Sequence, residues 1–181
     1  EAVGRIVDAL DRAGVLDETV IIFWSDNGYL QGEHRIRDAK TVPYEEAIRV
    51  PAMIRGPGFP AGATAPQLAA NIDLAPTILD LAGVRGSLEM DGESLLPLVR
   101  DAHPAPDDRA LYIQNGPQEQ GAAIPHWDGV RVPGFTYVEY EPGARELYDL
   151  TADPYQLDNV VDDPAYAAVR PDLAHLPVDP R

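Results

Sequence analysis

The stretch "IIFWSDNGYLQGEHRIRDAK", residues 21–40, decides the fold and holds the candidate site of this chain. Its first four residues complete an apolar run over 19–24 that is rich in β-branched side chains, which is typical of a strand buried on both faces. Ser-Asp-Asn-Gly follows the strand at once. The segment 26–49 is too long and too polar for a plain connection, so we expect it to hold a bound group.

The sequence around this stretch has the pattern of an α/β fold. Residues 1–14 are predicted to form a helix, and residues 50–55 a second strand closed by a Gly-Pro-Gly turn. The helix places four apolar residues on one face: Val3, Ile6, Val7 and Leu10. A helix, a short turn and a buried strand in succession indicate an α/β fold. Because the chain starts in a helix without an initiator Met, we expect it to be part of a longer protein.

Further elements follow along the chain. A helix is predicted over 73–82, with Asp73 at its N-cap and Gly83 after its last turn. Residues 94–99 are expected to add a short helical turn. The order of elements up to this point keeps the α/β pattern.

The back half of the sequence changes to short strands. Three are predicted, over 110–114, 135–140 and 145–150, and the Glu-Pro-Gly turn between the last two indicates a hairpin. A helix is expected near 163–170. We therefore predict two parts: residues 1–105 as α/β core, and residues 106–181 as a small antiparallel sheet with a terminal helix and an irregular tail.

Composition excludes several classes of function. A net charge of −16 repels nucleic acid and anionic membrane surfaces, so neither is expected as a partner. No apolar run approaches the roughly 20 residues that span a bilayer. The chain has no cysteine, which excludes disulfides, thiolate metal ligands and a Cys nucleophile.

Asp26 and Asn27 are candidate metal ligands because of where they lie. Ligands of open α/β sheets bind outside the carboxyl ends of strands, which is where both residues follow the apolar run. Carboxylate and amide oxygens are hard donors that suit Ca²⁺ or Mg²⁺ better than Zn²⁺. The alternative is a simple turn, since Ser, Asp, Asn and Gly all favour turns for local reasons.

Lys40 and His34 are the other candidates in this stretch. Lys40 is the single lysine beside thirteen arginines, and its compact ammonium suits contact with one anion oxygen. His34 has the chemistry to donate a proton to a leaving group or to orient a neighbour, although a single loop histidine is more often structural. His126 is expected to pack a loop, and His103 and His175 offer nothing specific.

Four ordered blocks resemble the carboxy-terminal part of type I sulfatases. They are "SDNGYLQGEHRIRDAKTVPYEEAIRVPAMIRGPG", "NIDLAPTILDLAGV", "DGESLLPLV" and "YVEYEPGARELYDLTADPYQLDN". The resemblance runs from Val20 to about Asn159 and is closest to bacterial arylsulfatases and the N-acetylglucosamine-6-sulfatase group. It implies the carboxy-terminal part of an alkaline-phosphatase-like α/β fold: the end of the mixed sheet plus a small antiparallel subdomain.

The resemblance also implies roles for individual residues. Asp26 and Asn27 match the pair that coordinates Ca²⁺, with Mg²⁺ a further candidate, and Lys40 matches the lysine that contacts the sulfate group. His34 matches a Gly-Glu-His found in many members. Ala39 departs from the Gly that often precedes the lysine. Three residues of the Tyr-Glu-Glu-Ala-Ile-Arg block are interpreted as architecture: Tyr44, Glu45 and Arg49.

The nucleophile that the resemblance implies is missing from this chain. Family members convert a Cys or Ser in Cys/Ser-x-Pro-x-Arg to formylglycine, whose hydrate attacks sulfur. None of Ser25, Ser87 and Ser94 begins such a motif. We expect the nucleophile in a missing amino-terminal half, an inactive isolated chain, and an uncovered apolar face that binds that half or a second copy.

The predicted substrate is an aryl or sugar sulfate ester. Two alternatives stay open on the sequence. One is a phosphate mono- or diester hydrolase of the same superfamily, although those related phosphatases generally have Asp-His where this chain has Asp26 and Asn27. The other is a non-catalytic module that binds a partner or glycan through its acidic surface and Tyr-rich hairpins.

Overall fold

The computed structural model describes residues 1–100, 108–116 and 124–174. The helices are α1 (Ala2–Arg12), α2 (Glu45–Ile48), α3 (Leu74–Leu81), α4 (Leu96–Arg100) and α5 (Val169–Ala174). The strands are β1 (Ile21–Trp24), β2 (Leu30–Gln31), β3 (Arg37–Ala39), β4 (Ala52–Arg55), β5 (Leu111–Gln114), β6 (Trp127–Val132), β7 (Phe135–Tyr140) and β8 (Arg145–Asp149).

The chain divides into two compact units. The first unit comprises the described residues of Glu1–Asp26 and Pro51–Ala105, and the second those of Asn27–Val50 and Pro106–Arg181. The segment between β1 and β4, which the sequence assigned to the α/β core, thus packs with the carboxy-terminal sheet. The division into domains at residue 105 stays a prediction.

In the first unit, β1 pairs with β4 as an antiparallel ladder. Ile21 lies opposite Arg55, and Trp24 lies opposite Ala52. Both strands and the preceding helix confirm the elements predicted over these residues. The expectation that β1 is buried on both faces is wrong for the part of the chain that the structure describes, because Phe23 remains 42% exposed.

A set of buried hydrogen bonds made by Asp73 and Thr77, called the polar staple below, holds α3 in the first unit. Asp73 is 0% exposed, and its carboxylate accepts hydrogen bonds from the backbone N–H groups of Ala70 (2.7 Å) and Glu93 (2.9 Å). Asp73 is the N-cap residue of α3 as predicted, but its carboxylate accepts from the turns on either side and makes no hydrogen bond within the cap. The Thr77 hydroxyl completes the staple by accepting from the Leu95 N–H at 2.9 Å.

The second unit is built on a four-stranded antiparallel sheet in the order β5-β6-β7-β8. The three strands and the Glu-Pro-Gly hairpin predicted from sequence are confirmed. Sequence reasoning missed β6, because Gly129 interrupts its apolar pattern. A Cβ on Gly129 would lie 2.7 Å from the carbonyl oxygen of Tyr137, so the sheet itself requires a glycine there.

Two apolar clusters form the core of the second unit. The first joins the segment before β4 to β8: Leu30, Ala39, Val42, Tyr44, Ala47 and Tyr148. The second lies between the sheet and the terminal helix: Val130, Tyr137, Leu147, Val161 and Leu173. The first cluster fixes the segment that carries the candidate residues.

The helix predicted near 163–170 begins later than expected. Pro164–Tyr166 form a single 3₁₀ turn whose Asp163 side chain accepts from the Ala165 N–H, and α5 follows. Among the described residues, no helix has the length and apolar character that crossing a membrane requires.

Candidate functional site

The backbone after β1 is fixed by one asparagine. Asn71 donates from Nδ2 to the carbonyl oxygen of Asp26 at 2.7 Å, and its Oδ1 accepts from Nε1 of Trp24 at 2.6 Å. Asp26 itself is exposed. The carbonyl of Asp26 is thus held while its carboxylate keeps access to solvent. Sequence reasoning gave Asn71 no such role, because the contact spans two distant segments.

Asn27 and Gly28 lie where the chain meets the backbone of α2. Asn27 donates from Nδ2 to the carbonyl of Gly28 at 2.7 Å, and the Gly28 N–H donates to the carbonyl of Ala47 at 2.7 Å. Because the amide nitrogen of Asn27 donates this hydrogen bond, its amide oxygen is the side-chain atom that could bind a metal ion. A Cβ on Gly28 would lie 2.0 Å from the Glu46 carbonyl oxygen, so glycine is needed for close approach and not for a turn.

A two-stranded hairpin returns Lys40 toward this segment. In the ladder of β2 and β3, Leu30 pairs with Ala39, and both residues are buried. Lys40 follows Ala39 and Tyr29 precedes Leu30, so Lys40 and the segment that leads from Asn27 lie at the same end of the hairpin. Lys40 is exposed, which fits a cation that contacts a substrate.

His34 lies at the tip of the same hairpin and faces α2. Its ring stacks on Tyr44 with centroids 3.8 Å apart and planes 7° from parallel. Its Nε2 lies 3.4 Å from Oε2 of Glu46, and its side chain is 10% exposed. These contacts favour orientation of neighbours over proton donation, the two roles that the sequence left open.

Glu33, beside His34, closes the start of the hairpin tip. Its carboxylate accepts from the Gln31 N–H at 2.6 Å. Backbone hydrogen bonds, its own N–H first and then that of Gln31, lower the pKa of Glu33 below its ordinary value. The carboxylate thus stays ionised at neutral pH, where it holds the turn.

Tyr44 also belongs to a cluster of phenols around one carboxylate. Burial is the main cause that raises the pKa of Tyr44, Tyr140 and Tyr148, and the negative charge of Glu146 adds to it. Tyr140 donates its hydroxyl hydrogen bond to Glu146 at 3.0 Å. The three phenols are therefore neutral hydrogen-bond donors at physiological pH.

An ion pair anchors α2 to the carboxy-terminal sheet. Arg131 Nε donates to Glu45 Oε1 at 2.9 Å, with both side chains largely buried. The backbone N–H of Glu45 donates to Oε1 of Gln156 at 2.6 Å. The architectural interpretation of Tyr44 and Glu45 is confirmed by these contacts. Arg49 is exposed and donates its N–H to the Glu45 carbonyl at the end of α2.

The remaining histidines lie elsewhere. His126 Nδ1 is 2.9 Å from the Gly116 carbonyl oxygen, and its Nε2 is 3.2 Å from Oδ2 of Asp128, so it joins two segments of the small sheet as predicted. His103 and His175 fall outside the described residues. In the part of the chain that is described, no three His, Asp or Glu side chains gather as a metal cluster.

The arrangement places Asn27, Gly28, His34 and Lys40 in one packed segment of the second unit. Asp26 precedes them directly in the chain and ends the first unit. The donor chemistry of Asp26 and Asn27 fits a hard cation such as Ca²⁺, and the single cation of Lys40 fits an anionic ester.

Comparison with known proteins identifies a family. The family model for the carboxy-terminal region of N-sulphoglucosamine sulphohydrolase matches residues 32–177. An N-acetylglucosamine-6-O-sulfatase of Bacteroides thetaiotaomicron is 33% identical over 97% of this chain and 32% of its own length. An arylsulfatase of Chlamydomonas reinhardtii is 37% identical over the same shares, 97% and 32%. The chain thus spans about a third of the length of the curated relatives it matches.

Solved structures give the same family and a neighbouring activity. One, of a protein in complex with its substrate D-glucosamine-2-N,6-O-disulfate, superposes with a TM-score of 0.86 at 33% identity, over 94% of this chain and 35% of that one. A phosphonate monoester hydrolase of Agrobacterium radiobacter superposes with a TM-score of 0.82 at 30% identity, over 94% and 36%. The chain therefore belongs to the sulfatase family and has the carboxy-terminal part of its alkaline-phosphatase-like α/β fold.

Proposed function

We propose that the chain is the carboxy-terminal part of a sulfatase that hydrolyses aryl or sugar sulfate esters, in which Lys40 contacts the sulfate group. The main support is the β2–β3 hairpin, which places the exposed Lys40 at the same end as the segment that leads from Asn27, the metal ligand implied by the resemblance. A cation held beside a metal ligand stabilises negative charge that develops on ester oxygens.

Asp26 and Asn27 are proposed as two ligands of a Ca²⁺ ion, with Mg²⁺ as the alternative. The hard oxygens of both side chains fit either ion. When bound, the metal would polarise a sulfate oxygen and neutralise charge on it. Ca²⁺ takes six to eight oxygen ligands, so the remaining donors must come from outside this pair. Asn71 supports the assignment because it holds the Asp26 backbone without engaging the carboxylate.

The nucleophile of the proposed reaction lies outside this chain. The chain has no cysteine, and a formylglycine made from a Cys or Ser is therefore expected in the amino-terminal part of a longer protein. The role of this chain's residues is to bind the metal and to orient the ester. We propose that the isolated chain does not turn over sulfate esters.

The apolar surface of the first unit fits contact with that missing part. A depression along α1 is lined by Ala2, Arg5, Ile6, Ala9 and Leu10. In this helix no residue is buried. The alternative is that the isolated chain self-associates through the same face. In size-exclusion chromatography, an apparent mass that falls on dilution would indicate this self-association.

A phosphonate or phosphate ester is the second candidate substrate class. The superposition on the phosphonate monoester hydrolase favours it, since a shared fold does not separate the two reactions. Asn27 favours sulfate, by the resemblance that distinguishes the Asp-Asn pair from the Asp-His of related phosphatases.

The test is turnover by the longer protein that carries this chain. We expect kcat/KM for an aryl sulfate to exceed that for the matching aryl phosphate and phenylphosphonate monoester. Faster turnover of either phosphorus ester would move the assignment to the second candidate. The metal ligands are tested separately, because metal affinity can be titrated without substrate. Wild type and Asp26→Ala are stripped of metal with a chelator, and the affinity of each for added Ca²⁺ or Mg²⁺ is then measured.

A further inference from the structure

The side chain of His34 joins the tip of the β2–β3 hairpin to α2 and to the residue before it. His34 stacks its ring on Tyr44 and directs Nε2 toward the Glu46 carboxylate at 3.4 Å. Arg35, the next residue, is exposed. The hairpin tip therefore contacts α2 and the residue before it through His34.

The backbone at the hairpin tip is strained at two neighbouring residues, of which one has a packed side chain and the other an exposed one. His34 has φ 54° and Arg35 has φ 60°, both in the left-handed region that non-glycine residues rarely adopt. Such strain persists only where surrounding contacts hold it. For His34 those contacts are visible, in the stacked ring and the paired carboxylate. The exposed Arg35 shares the backbone conformation but not this buried packing.

The clamp, which consists of His34, Tyr44 and Glu46, contains two buried polar atoms that contact each other. Among the described residues, His34 Nε2 and Glu46 Oε2 are buried and have no hydrogen-bond partner, and each lies 3.4 Å from the other. Removing the imidazole would leave the carboxylate oxygen buried without its partner, which is unfavourable. Glu46 also presents its backbone carbonyl to Gly28, so the same residue meets both the hairpin tip and the segment after Asn27.

The clamp and Lys40 lie at opposite ends of one strand. From His34 the chain runs through β3 to Ala39, which is buried against Leu30, and Lys40 follows. The base of the hairpin is thus held by apolar packing and its tip by His34. Because Lys40 follows Ala39 directly, a hairpin that loses its attachment at the tip leaves the strand that leads to Lys40 held at its base alone.

We propose that His34 is a positioning residue that clamps the hairpin tip to Tyr44 and Glu46 and so sets the position of Lys40. The effect on turnover rests on the proposed contact of Lys40 with sulfate, whereas the clamp itself does not. His34 acts through the hairpin and does not touch the reacting atoms.

Hydrogen exchange tests the clamp without any substrate. Three forms of the full 181-residue chain are compared: wild type, His34→Gly and Arg35→Gly. Both substitutions relieve a left-handed residue, but only the first removes the ring. We expect amides of residues 30–39 to exchange about tenfold faster in His34→Gly and unchanged in Arg35→Gly. Amides of β7 and β8 serve as an internal control and should be unchanged in both.

Two exchange results would overturn the clamp. Wild-type exchange in His34→Gly would mean that the ring holds nothing. Equal acceleration in both variants would mean that the hairpin depends on backbone conformation alone. Global acceleration in His34→Gly would require Glu46→Gln as the milder variant, in which faster exchange confined to residues 30–39 supports the clamp and unchanged exchange rejects it.

Kinetics in the longer protein then test the link to Lys40. We expect kcat/KM for an aryl sulfate to fall about tenfold in His34→Gly, since a displaced charge loses much of its effect. Combined with Lys40→Arg, the loss should be smaller than the product of the two single losses. Full multiplication of the losses would overturn the link. Absence of sulfate turnover in wild type would instead reject the proposed function and leave the exchange result standing.

Discussion

The two units of the chain bury their apolar residues to very different extents. The second unit has two apolar clusters, and one of them includes Ala39, which precedes Lys40, and Val42, which lies two residues after it. Among its described residues, the first unit keeps ten large apolar side chains exposed: Val3, Ile6, Val15, Phe23, Met53, Ile72, Ile78, Val84, Leu88 and Met90. In the second unit the exposed large apolar residues that the structure describes are Tyr29, Tyr155 and Leu157.

This difference separates what each unit needs from the rest of a longer protein. The second unit holds its hairpin with its own core, an ion pair and the phenol cluster. The first unit has the buried hydrogen bonds of Asp73 and leaves the ten large apolar side chains named above in contact with solvent. We infer that contacts within this chain hold the hairpin that carries Lys40, whereas the side chain of Asp26 is exposed at the end of the first unit.

The largest effect is expected from Gly28→Ala in the second unit. The added Cβ would meet the Glu46 carbonyl oxygen at 2.0 Å, so the backbone of α2 must move. We expect a loss of about 4 kcal/mol in the free energy of unfolding, measured by urea titration. Gly4→Ala is the control, because its Cβ meets nothing within 4 Å in α1. That variant should gain about 0.5 kcal/mol, and equal losses at both positions would contradict the packing at Gly28.

The next effect is expected at the buried ion pair. Arg131→Met leaves the Glu45 carboxylate without its 2.9 Å partner, with side chains only 16% and 14% exposed. The expected loss is about 3 kcal/mol in the free energy of unfolding. The exposed pair of Arg170 with Asp162, 4.0 Å apart, gives the comparison: Asp162→Asn should cost less than about 0.5 kcal/mol. Similar costs for the two pairs would argue against α2 being anchored by Arg131.

A smaller loss is expected from the polar staple of the first unit. Asp73→Ala leaves the Ala70 and Glu93 N–H groups without their buried acceptor. We expect the free energy of unfolding, measured by thermal or urea unfolding, to fall by about 2 kcal/mol, because buried donors are left unpaired. Asp80→Ala, which removes the exposed contact to Ser94, is the matched control and should change stability little. Unchanged stability in Asp73→Ala would mean that the two turns do not depend on the Asp73 carboxylate.

The smallest effect is a change of stability at alkaline pH. Burial and Glu139 raise the pKa of Tyr137 to about 12, and burial with Glu146 raises those of Tyr140 and Tyr148 further. Folded-state pKa values above the unfolded value of about 10 mean that stability is full below pH 10 and falls as pH rises above it. Absorbance of tyrosinate should therefore rise together with unfolding of the second unit. Ionisation of all these phenols near pH 10 in a folded chain would contradict their burial.

The sequence predicted local features better than contacts between distant segments. The helix α1, the ladder strands β1 and β4, and the hairpin of β7 and β8 follow from periodicity and turn residues. The strand β6 was missed because Gly129 is required by the neighbouring strand, which no local pattern reveals. Asp73 was predicted as the N-cap residue and is one, but the hydrogen bond of its carboxylate with Glu93, twenty residues later, could not be read from the local pattern.

The candidate site divides in the same way. Asp26, Asn27 and Lys40 were identified by residue type and resemblance, and their roles stay proposals. The sequence offered a simple turn as the alternative for the Ser-Asp-Asn-Gly stretch, whereas the structure requires a glycine at Gly28 for its close approach to Glu46. Asn71 and Arg131 were not identified at all, since each acts through a contact across more than forty residues. Residue chemistry is local, but the support that orients it comes from the fold.

The most direct test of the central claim is sulfate ester turnover by the longer protein with Lys40→Arg. Arg keeps the charge but replaces a compact ammonium with a planar fork, so we expect kcat/KM for an aryl sulfate to fall about 100-fold. Arg37→Lys, a matched exchange in β3 on the same hairpin, should leave turnover within about twofold of wild type. Wild-type turnover in Lys40→Arg would contradict the assignment of Lys40 to the sulfate group.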